Sequence, residues 1–587
     1  MQRSPPALAD QAFDLVVVGG GIFGICAAWD AIARGLTVAL IEQGDFAGQT
    51  SANSYKIVHG GIRYLQHADL VRLRGSCEQR SILLRIAPHL VQPLPIVVPT
   101  YGHGRRGKIL LGTGMLLYDL LTADRNRRIR DPKRRIPWTG FLSTAEVRRM
   151  FPGLPAQDLT GAAVFHDAQM YNPPRLALSF LRAAADAGAV AANYVQAIGF
   201  LRADDRVVGV QAKDRLSGER FAIRAKAVLN AAGPWAEGLL DRGLGQKLPL
   251  AYSYSRDACF VLRRRIVERY GLALPGATRD PDALISRAAR HLFMVPWREH
   301  TLVGVWHAVR APAPEAAMVS PDELQEFINE FNAAYPGLGL TTDDVTLCCA
   351  GLVPFGENAP GATDLSYGKR SIMIDHAADH GVEGLVTLIG VRYTMAVGDA
   401  AKAIDLVTAK LARRAPRAPT DRMPVFGGEI DDFEDLVRAA GRQIDGALPA
   451  AAVRALVHNY GNQYGRILEY ARSDPTLMRT VGATTVVQAE VVHAVREEMA
   501  VELGDVMFRR TDLATGRPPS EAELATCARL MAAELGWSDS RMETETASVR
   551  RTLAKMMPHA ADRLETASPI VAARGQQQSG AAETAPL

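Results

Sequence analysis

The sequence has few cysteines, no long apolar run and little net charge, and each shortage argues against a class of protein. Its six cysteines in 587 residues form neither a CxxC pair nor a cysteine–histidine spacing suited to a metal. We therefore expect reduced, buried thiols and no metal site. No apolar run reaches the roughly 18 residues of a membrane span. A net charge of +4 gives no reason to expect a nucleic-acid partner.

The composition indicates a globular protein, with 48% hydrophobic and 22% charged residues. The opening "MQRSPPALADQAFD" contains no apolar core of a signal peptide, so the expected location is the cytoplasm.

The first segment, "FDLVVVGGGIFGICAAWDAIARGLTVALIEQGD", predicts strand, glycine turn, helix and strand. We place the strands at 15–18 and 37–41 and the helix at 22–34. Two alternating strands follow between 206 and 226, and a third apolar strand at 227–229 leads into a second small-residue turn. From about 431 to 557, most of the sequence has apolar residues at helical spacing, which predicts helices.

This order predicts an α/β protein: a two-dinucleotide-binding, Rossmann-like FAD domain with an inserted α+β substrate domain and a C-terminal helical domain. We expect the FAD domain at 12–100, 191–245 and 351–410, an inserted segment at 101–190, a substrate-binding cap at 246–350, the helical domain at 425–560 and a disordered tail at 565–587.

The glycine loop Gly19-x-Gly21-x-x-Gly24 and the acid Glu42 predict a dinucleotide site. Gly19 permits the tight turn, Gly21 lets the backbone approach a pyrophosphate, and Gly24 allows close packing of helix and strand. A carboxylate such as Glu42 accepts hydrogen bonds from a ribose diol, which favours FAD or NAD over NADP. The second turn, at 231–234, is typical of two-dinucleotide-fold flavoproteins and favours FAD.

With these motifs, the chain resembles FAD-dependent glycerol-3-phosphate dehydrogenases and oxidases from about residue 13 to 553. The resemblance is carried by "DLVVVGGGIFG", "IEQGDFAGQTSANSYKIVHGGIRYL", "VLNAAGPWA", "FMVPW" and "HAVREEMAVELGDVMFRRTDL". Its most specific part is "KIVHGGIRYL", because the family carries a K-x-x-H-G-G-x-R-Y-L signature beside its flavin.

The resemblance implies a role for each residue of that signature. His59 would be the catalytic base, since an imidazole with an ordinary pKa near 6.5 suits removal of a hydroxyl proton; a structural role for His59 stays open. Arg63 would take part in catalysis and in binding an anionic substrate through its forked donors. The further substrate-binding residues implied are Tyr64, Lys369, Arg370 and Arg392. Besides the glycine loop and Glu42, the cofactor-binding residues implied are Thr50, Ser51, Ser54, Lys56, Gly60, Gly61, Gly233, Pro234, Trp235 and Gly390.

The chain departs from the family where relatives hold the substrate anion. Val353 stands where a "GVRP" arginine is common, Trp306 and His307 replace part of a "GTTD" motif, and Arg392 replaces a lysine. Two interpretations therefore stay open: oxidation of glycerol 3-phosphate with electrons passed to quinone, or a flavoenzyme of the same fold retuned to another small hydroxy or amino compound. In the second, Trp306 and His307 fill or reshape the pocket. A flavin-binding scaffold without turnover is a third hypothesis.

A basic segment between 105 and 135 has ten lysine and arginine residues against three acids and encloses the apolar stretch "ILLGTGMLLYDLL". One interpretation is that this segment binds an anionic membrane surface, which would make the protein peripheral on the inner face of the cytoplasmic membrane. The alternative is a helix packed in the core and followed by a solvated basic loop. The expected partners are an anionic small-molecule substrate, quinone or another electron acceptor, and a second copy in a homodimer.

Overall fold

The computed structural model describes residues 1–62, 64, 68–102, 108–245, 253–279, 289–310, 317–355, 370–412, 416 and 419–560. Four predictions fall at least partly outside these residues: the roles of Arg63 and Lys369, the start of the basic segment, and the tail at 565–587.

The strands fall into two sheets. In chain order they are β1 (Ala12–Val18), β2 (Val38–Ile41), β3 (Ile57–Val58), β4 (Val91–Tyr101), β5 (Gly140–Leu142), β6 (Leu159–Met170), β7 (Val190–Ala192), β8 (Val195–Ala203), β9 (Arg206–Asp214), β10 (Arg220–Asn230), β11 (Ser253–Leu262), β12 (Gly271–Arg279), β13 (Ala289–Trp297), β14 (His300–Arg310), β15 (Val345–Phe355), β16 (Ile372–Asp375) and β17 (Leu385–Ile389).

The helices lie on the first sheet, around the second sheet and in the C-terminal third. They are α1 (Pro5–Ala9), α2 (Ile22–Ala33), α3 (Leu70–Ile86), α4 (Lys108–Leu121), α5 (Thr144–Met150), α6 (Pro173–Asp186), α7 (Ala236–Leu244), α8 (Pro321–Ala334), α9 (His376–His380), α10 (Ala396–Lys410), α11 (Phe433–Ile444), α12 (Ala450–Tyr460), α13 (Gly465–Ser473), α14 (Gln488–Glu498), α15 (Leu503–Asp505), α16 (Glu521–Leu535) and α17 (Asp539–Met556).

The first sheet has the predicted dinucleotide-binding core. Its order is β16-β17-β10-β1-β2-β7, and β17, β10, β1, β2 and β7 run parallel. β1 is buried along nearly its whole length, as its apolar sequence requires of a strand covered on both faces. The strand predicted at 227–229 is not separate: it continues β10, whose first half pairs with β9 and whose second half pairs with β1.

The second sheet has the order β15-β11-β14-β13-β12-β4-β6-β3, with β5 beside β6. Two of our boundaries therefore need correction. β4 pairs antiparallel with β6 and runs parallel to β12, so it belongs to this sheet and not to the first FAD segment. β15 pairs with β11 along its length, including residues 351–355, so these residues belong to the second sheet and not to the predicted third FAD segment.

The C-terminal domain is helical, as predicted, and buried ion pairs join it to the FAD domain. Arg175 of α6 donates to the Glu498 carboxylate at the end of α14 over 2.6 Å, and both side chains are at most 1% exposed. Burial raises the pKa of Glu498, but Arg175 and then His493 outweigh burial and lower it to about 2. Arg510 donates both terminal nitrogens to Asp45, which follows β2.

The basic segment is partly structural. Arg125 is buried against Asp119 at 3.0 Å, and Arg134 is buried with its guanidinium 4.5 Å from the centre of the Phe433 ring. These two cations therefore cannot contribute to a surface patch. In the described part of the chain no helix combines the length and the apolar character needed to cross a membrane.

Replacing Arg175 with Met should destabilise the protein by about 3–5 kcal/mol, because Glu498 would keep its charge in a buried site without its main partner. Arg496→Met is the matched control: it breaks an ion pair with Glu534 whose arginine is 53% exposed, and should cost less than about 1 kcal/mol. Urea unfolding measures both. Equal losses in the two variants would contradict the importance of the buried pair.

Candidate functional site

The carboxyl ends of three parallel strands, β1, β10 and β17, meet at one cavity of about 740 Å³. Its walls come from both sheets and from the C-terminal domain. Of the predicted residues, the cavity is lined by Gly19, Gly21, Glu42, Thr50, Ser51, Ser54, His59, Gly233, Pro234, Trp235, Gly390 and Arg392. Ligands of open α/β sheets bind at such strand ends.

The glycine loop is built as its spacing predicts. Gly19 has φ +112°, and a Cβ there would lie 2.5 Å from the Ala231 carbonyl oxygen at the end of β10. A Cβ at Gly24 would overlap the Gly19 carbonyl. Gly21 caps the N-terminus of α2, and the first turn of α2 lines the cavity. Backbone N–H groups and the helix dipole at this point favour a phosphate.

Glu42 stands at the end of β2 and holds the same loop. Its carboxylate accepts hydrogen bonds from the backbone N–H of Gly20 at 2.7 Å and of Gly44 at 2.9 Å. Burial raises the pKa of Glu42, although these two bonds oppose the rise. The carboxylate lines the cavity, in the place from which it could reach a ribose diol.

The second turn and Gly390 complete this floor. Gly233 has φ +56° and follows β10, while Gly390 follows β17. A Cβ at Gly390 would overlap the Phe23 ring of α2. The floor is therefore a cradle of close backbone approaches, which suits a bulky dinucleotide such as FAD.

The segment after Glu42 crosses to the second sheet. Ser51 Oγ accepts from the Ile22 N–H at 3.0 Å, and Thr50 Oγ1 donates to the Leu352 carbonyl of β15 at 3.0 Å. Lys56 differs from its neighbours, because it is buried behind the wall with φ +64° and does not line the cavity. Its ammonium lies 3.7 Å from the Cys349 sulfur and 4.8 Å from the centre of the Trp297 ring.

Cys259 and Cys349 are cross-strand partners on β11 and β15. The pKa of the Cys349 thiol is lowered to about 6, first by its hydrogen bond with Cys259 and then by the Lys56 charge. All six cysteines are free and buried, as expected.

The double glycine after His59 is held from behind by a buried network. The Gly60 N–H donates to Asp167 at 2.6 Å, and its carbonyl accepts from the Cys77 thiol at 3.0 Å. Asp167 also accepts from Arg80, which is fully buried, at 3.1 Å. Gly60 and Gly61 therefore fix the turn rather than line the cavity, and His59 is presented to the cavity by that turn.

Arg392 and Tyr64, which the family resemblance assigns to substrate binding, contact each other. Arg392 Nη1 donates to the Tyr64 hydroxyl at 2.5 Å and to Ser76 Oγ at 3.1 Å. Within the described chain no acceptor takes up its Nε or Nη2, and the residue lines the cavity. Arg370 is not brought to this site: it is exposed and outside the cavity wall.

The residues that depart from the family pattern lie on β14 and β15. Val353 lines the cavity. Trp306 does not fill the pocket, because it points to the opposite face of the sheet and packs against Phe327. His307 hydrogen-bonds Asp257, which does line the cavity.

Four further residues at or behind the cavity wall are not among those that the sequence motifs predict. Asp167 and Arg80 form the buried network behind Gly60. The charged residue inside the apolar strand "AAVFHDAQM" is a signal that could have indicated Asp167. Phe508 and Arg509 belong to the C-terminal domain and line the part of the cavity wall that this domain forms. Arg509 pairs with Asp45 and Asp505, which ties that part of the wall to the first sheet.

Comparison with known proteins places these features in context. A family model described as "FAD dependent oxidoreductase" matches residues 14–394, and one described as "C-terminal domain of alpha-glycerophosphate oxidase" matches residues 418–542. A glycerol-3-phosphate dehydrogenase of Synechocystis sp. is 31% identical over 92% of this chain and 96% of its own length. One of Mycobacterium leprae is 30% identical over 92% and 87%.

A solved structure gives the same fold. The glycerol-3-phosphate dehydrogenase from Bacillus halodurans, complexed with FAD, aligns with a TM-score of 0.73 and 23% identity over 94% of this chain and 97% of that one.

Gly60→Ala should lower the amount of FAD that purifies with the protein, because the added methyl would overlap Arg80 and lie 2.5 Å from the Tyr118 oxygen. The turn that presents His59 would have to move. Gly75→Ala is the matched control: it lies in α3 with no neighbour within 4 Å of the new methyl, so it should keep full FAD and gain about 0.5–1 kcal/mol of stability. Equal FAD content in both variants would contradict the packing argument.

Proposed function

Because the chain belongs to the family of FAD-dependent glycerol-3-phosphate dehydrogenases, we propose that it oxidises the secondary hydroxyl of glycerol 3-phosphate to dihydroxyacetone phosphate. It is an FAD-dependent oxidoreductase, as the sequence predicted. The relatives favour this function over the retuned flavoenzyme. The observation that carries the substrate assignment is the presence of His59 and Arg392 on one cavity wall, beside a floor suited to a dinucleotide.

The floor fits FAD, since Gly19, Gly21 and Gly390 line it, and a Cβ at Gly19 or Gly390 would collide with Ala231 or Phe23. Gly21 and the start of α2 would hold the pyrophosphate, and Glu42 would hold a ribose. When bound, FAD supplies the hydride acceptor.

His59 acts as the base in this proposal. Its backbone N–H donates to Thr394 Oγ1 at 3.3 Å, and its ring centre lies 6.2 Å from that of Tyr64. These contacts and the clamped Gly60 limit the movement of the imidazole, so that it can receive the hydroxyl proton from a substrate in the cavity.

Arg392 binds the phosphate. Its Nη1 is fixed by Tyr64 and Ser76, and the guanidinium lies 5.2 Å from the centre of the Tyr64 ring. The remaining edge of the fork can donate two parallel hydrogen bonds to phosphate oxygens. Arg63, adjacent to Tyr64 in the chain, would add a second cation by the family resemblance.

His59→Gln should slow anaerobic flavin reduction by glycerol 3-phosphate by about 10²–10⁴-fold, since the general base is lost, while FAD content stays unchanged. His380→Gln is the control, because His380 is exposed and lies outside the cavity wall. Rapid-mixing absorbance measures both rates. No reduction of the parent protein by glycerol 3-phosphate would refute the proposed function, and a parental rate in His59→Gln would refute the role of the base.

The electrons pass to quinone, and α4 docks the protein on the membrane that contains it. Leu116, Leu117 and Leu120 form an outward stripe on α4 and are 53%, 47% and 68% exposed. Two further exposed side chains follow α4 in the chain: Trp138 stacks on Arg125 just beyond the helix, and Phe141 lies against Gly112 of α4. We call these five side chains the α4 surface.

Exposed cations follow the α4 surface in the chain, at Arg127, Arg128 and Arg135. Such a combination of apolar side chains and cations binds anionic bilayers. This supports a peripheral location on the inner face of the cytoplasmic membrane. A homodimer stays a prediction.

Leu116→Ser together with Leu120→Ser should reduce co-sedimentation with anionic vesicles at least tenfold, because each inserted leucine contributes about 1.5 kcal/mol or more. Arg127→Glu with Arg128→Glu should act in the same direction and be most evident at low salt. Leu535→Ser, at an exposed leucine of α16, is the control. Unchanged sedimentation of both double variants would show that the α4 surface does not bind lipid.

A further inference from the structure

Asp257 places a carboxylate on the cavity wall formed by the second sheet. On β11 it is the one residue between Tyr254 and Leu262 that is not buried, and its side chain is 29% exposed. It lies opposite His307 on β14 and Gly351 on β15. Because side chains alternate along a strand, Asp257 shares its face with Ser255 and Cys259.

One oxygen of this carboxylate is fixed, and the other is available. Asp257 Oδ1 accepts from Ser255 Oγ at 2.7 Å and hydrogen-bonds His307 Nδ1 at 2.6 Å. His307 is itself held by the Phe355 ring, whose centre lies 5.8 Å away. Oδ2 receives no hydrogen bond from any described residue, so it remains an acceptor for a molecule in the cavity.

The wall around Asp257 does not suit a phosphate. Ser255, two residues before it on β11, pairs with Val353 of β15, and Cys259 lies two residues after it. Val353, Val305 and Cys259 line the cavity. Over the described residues this part of the wall contains no lysine or arginine. A phosphate beside Asp257 would meet a like charge in a partly dehydrated site. Arg392, on the segment after β17, is the cation of the cavity wall that binds the phosphate in the proposed function.

We propose that Asp257 determines substrate specificity by accepting a hydrogen bond from the end of the substrate opposite its phosphate. This inference rests on the proposed function. With the phosphate at Arg392, glycerol 3-phosphate presents its primary hydroxyl to Asp257 Oδ2. The substrate class is therefore a short phosphate ester with a hydrogen-bond donor at its other end, and a molecule with a methyl group there is rejected because the carboxylate would be left without a partner.

The test compares glycerol 3-phosphate with its 1-deoxy analogue, propane-1,2-diol phosphate of matching configuration, which keeps the reacting hydroxyl and the phosphate. The parent enzyme should prefer glycerol 3-phosphate by about 10- to 100-fold in kcat/KM, the range expected for a hydrogen bond to a charged group. In Asp257→Ala the preference should fall to within about threefold, because glycerol 3-phosphate loses activity and the analogue does not. Asp257→Asn, which keeps the shape, should lie between the two.

Asp343→Asn is the matched control, since Asp343 is exposed ahead of β15 and does not line the cavity. Dissociation constants of both compounds, from the change in flavin absorbance, are measured beside the rates. FAD content and unfolding temperature show whether each variant is folded and loaded.

Three results would overturn the inference. The first is an unchanged preference in Asp257→Ala; the second is a parent enzyme that does not distinguish the two compounds. The third is a loss of FAD from both Asp257 variants while the protein stays folded, which would assign the carboxylate to the cofactor. If the parent binds glycerol 3-phosphate better than the analogue but oxidises neither, and Asp257→Ala abolishes that difference in binding, the proposed reaction fails and the recognition by Asp257 stands.

Discussion

The cavity depends on one steric constraint, the close approach of backbone at Gly19 and Gly24. A methyl group at either position would collide with a carbonyl oxygen, of Ala231 in one case and of Gly19 in the other. Because that approach is possible, α2 can start directly at the end of β1, and the end of β10 can lie beside it. The first turn of α2 then forms part of the cavity floor, where its N–H groups and dipole favour an anion. The remaining walls are arranged around this contact.

Buried charge holds those walls in place from behind. Asp167 on β6 fixes the turn that presents His59, and Arg80 neutralises the carboxylate. Arg510 does the same for Asp45 between the C-terminal domain and the end of β2. A buried charge without its partner costs far more than the pair contributes. Such contacts therefore favour one arrangement of the two sheets and the helical domain, although each adds little net stability.

The parts that could be predicted from the sequence are those whose geometry is local. Glu42 follows the three glycines of the loop by 18 to 23 residues in a strand–helix–strand unit, so their spacing fixes their positions. Asp167 reaches Gly60 across a sequence separation of 107 residues, and no local pattern encodes such a contact. Counting charges misjudged Arg125 and Arg134, because a count cannot distinguish a buried cation from an exposed one. The prediction that Trp306 fills the pocket is wrong because the sequence does not give the strand register. In that register Trp306 lies on the face of the sheet opposite to Asp257 and the cavity.

The residues that line the cavity run from Val18 to Thr552, almost the whole chain. This has a consequence for biosynthesis. At about 5–20 residues per second, translation of that interval takes roughly half a minute to two minutes. Throughout it, the nascent chain has a floor without its last wall, so the complete cavity exists only after α17 has left the ribosome. Flavin that binds in the complete cavity then stabilises the finished molecule.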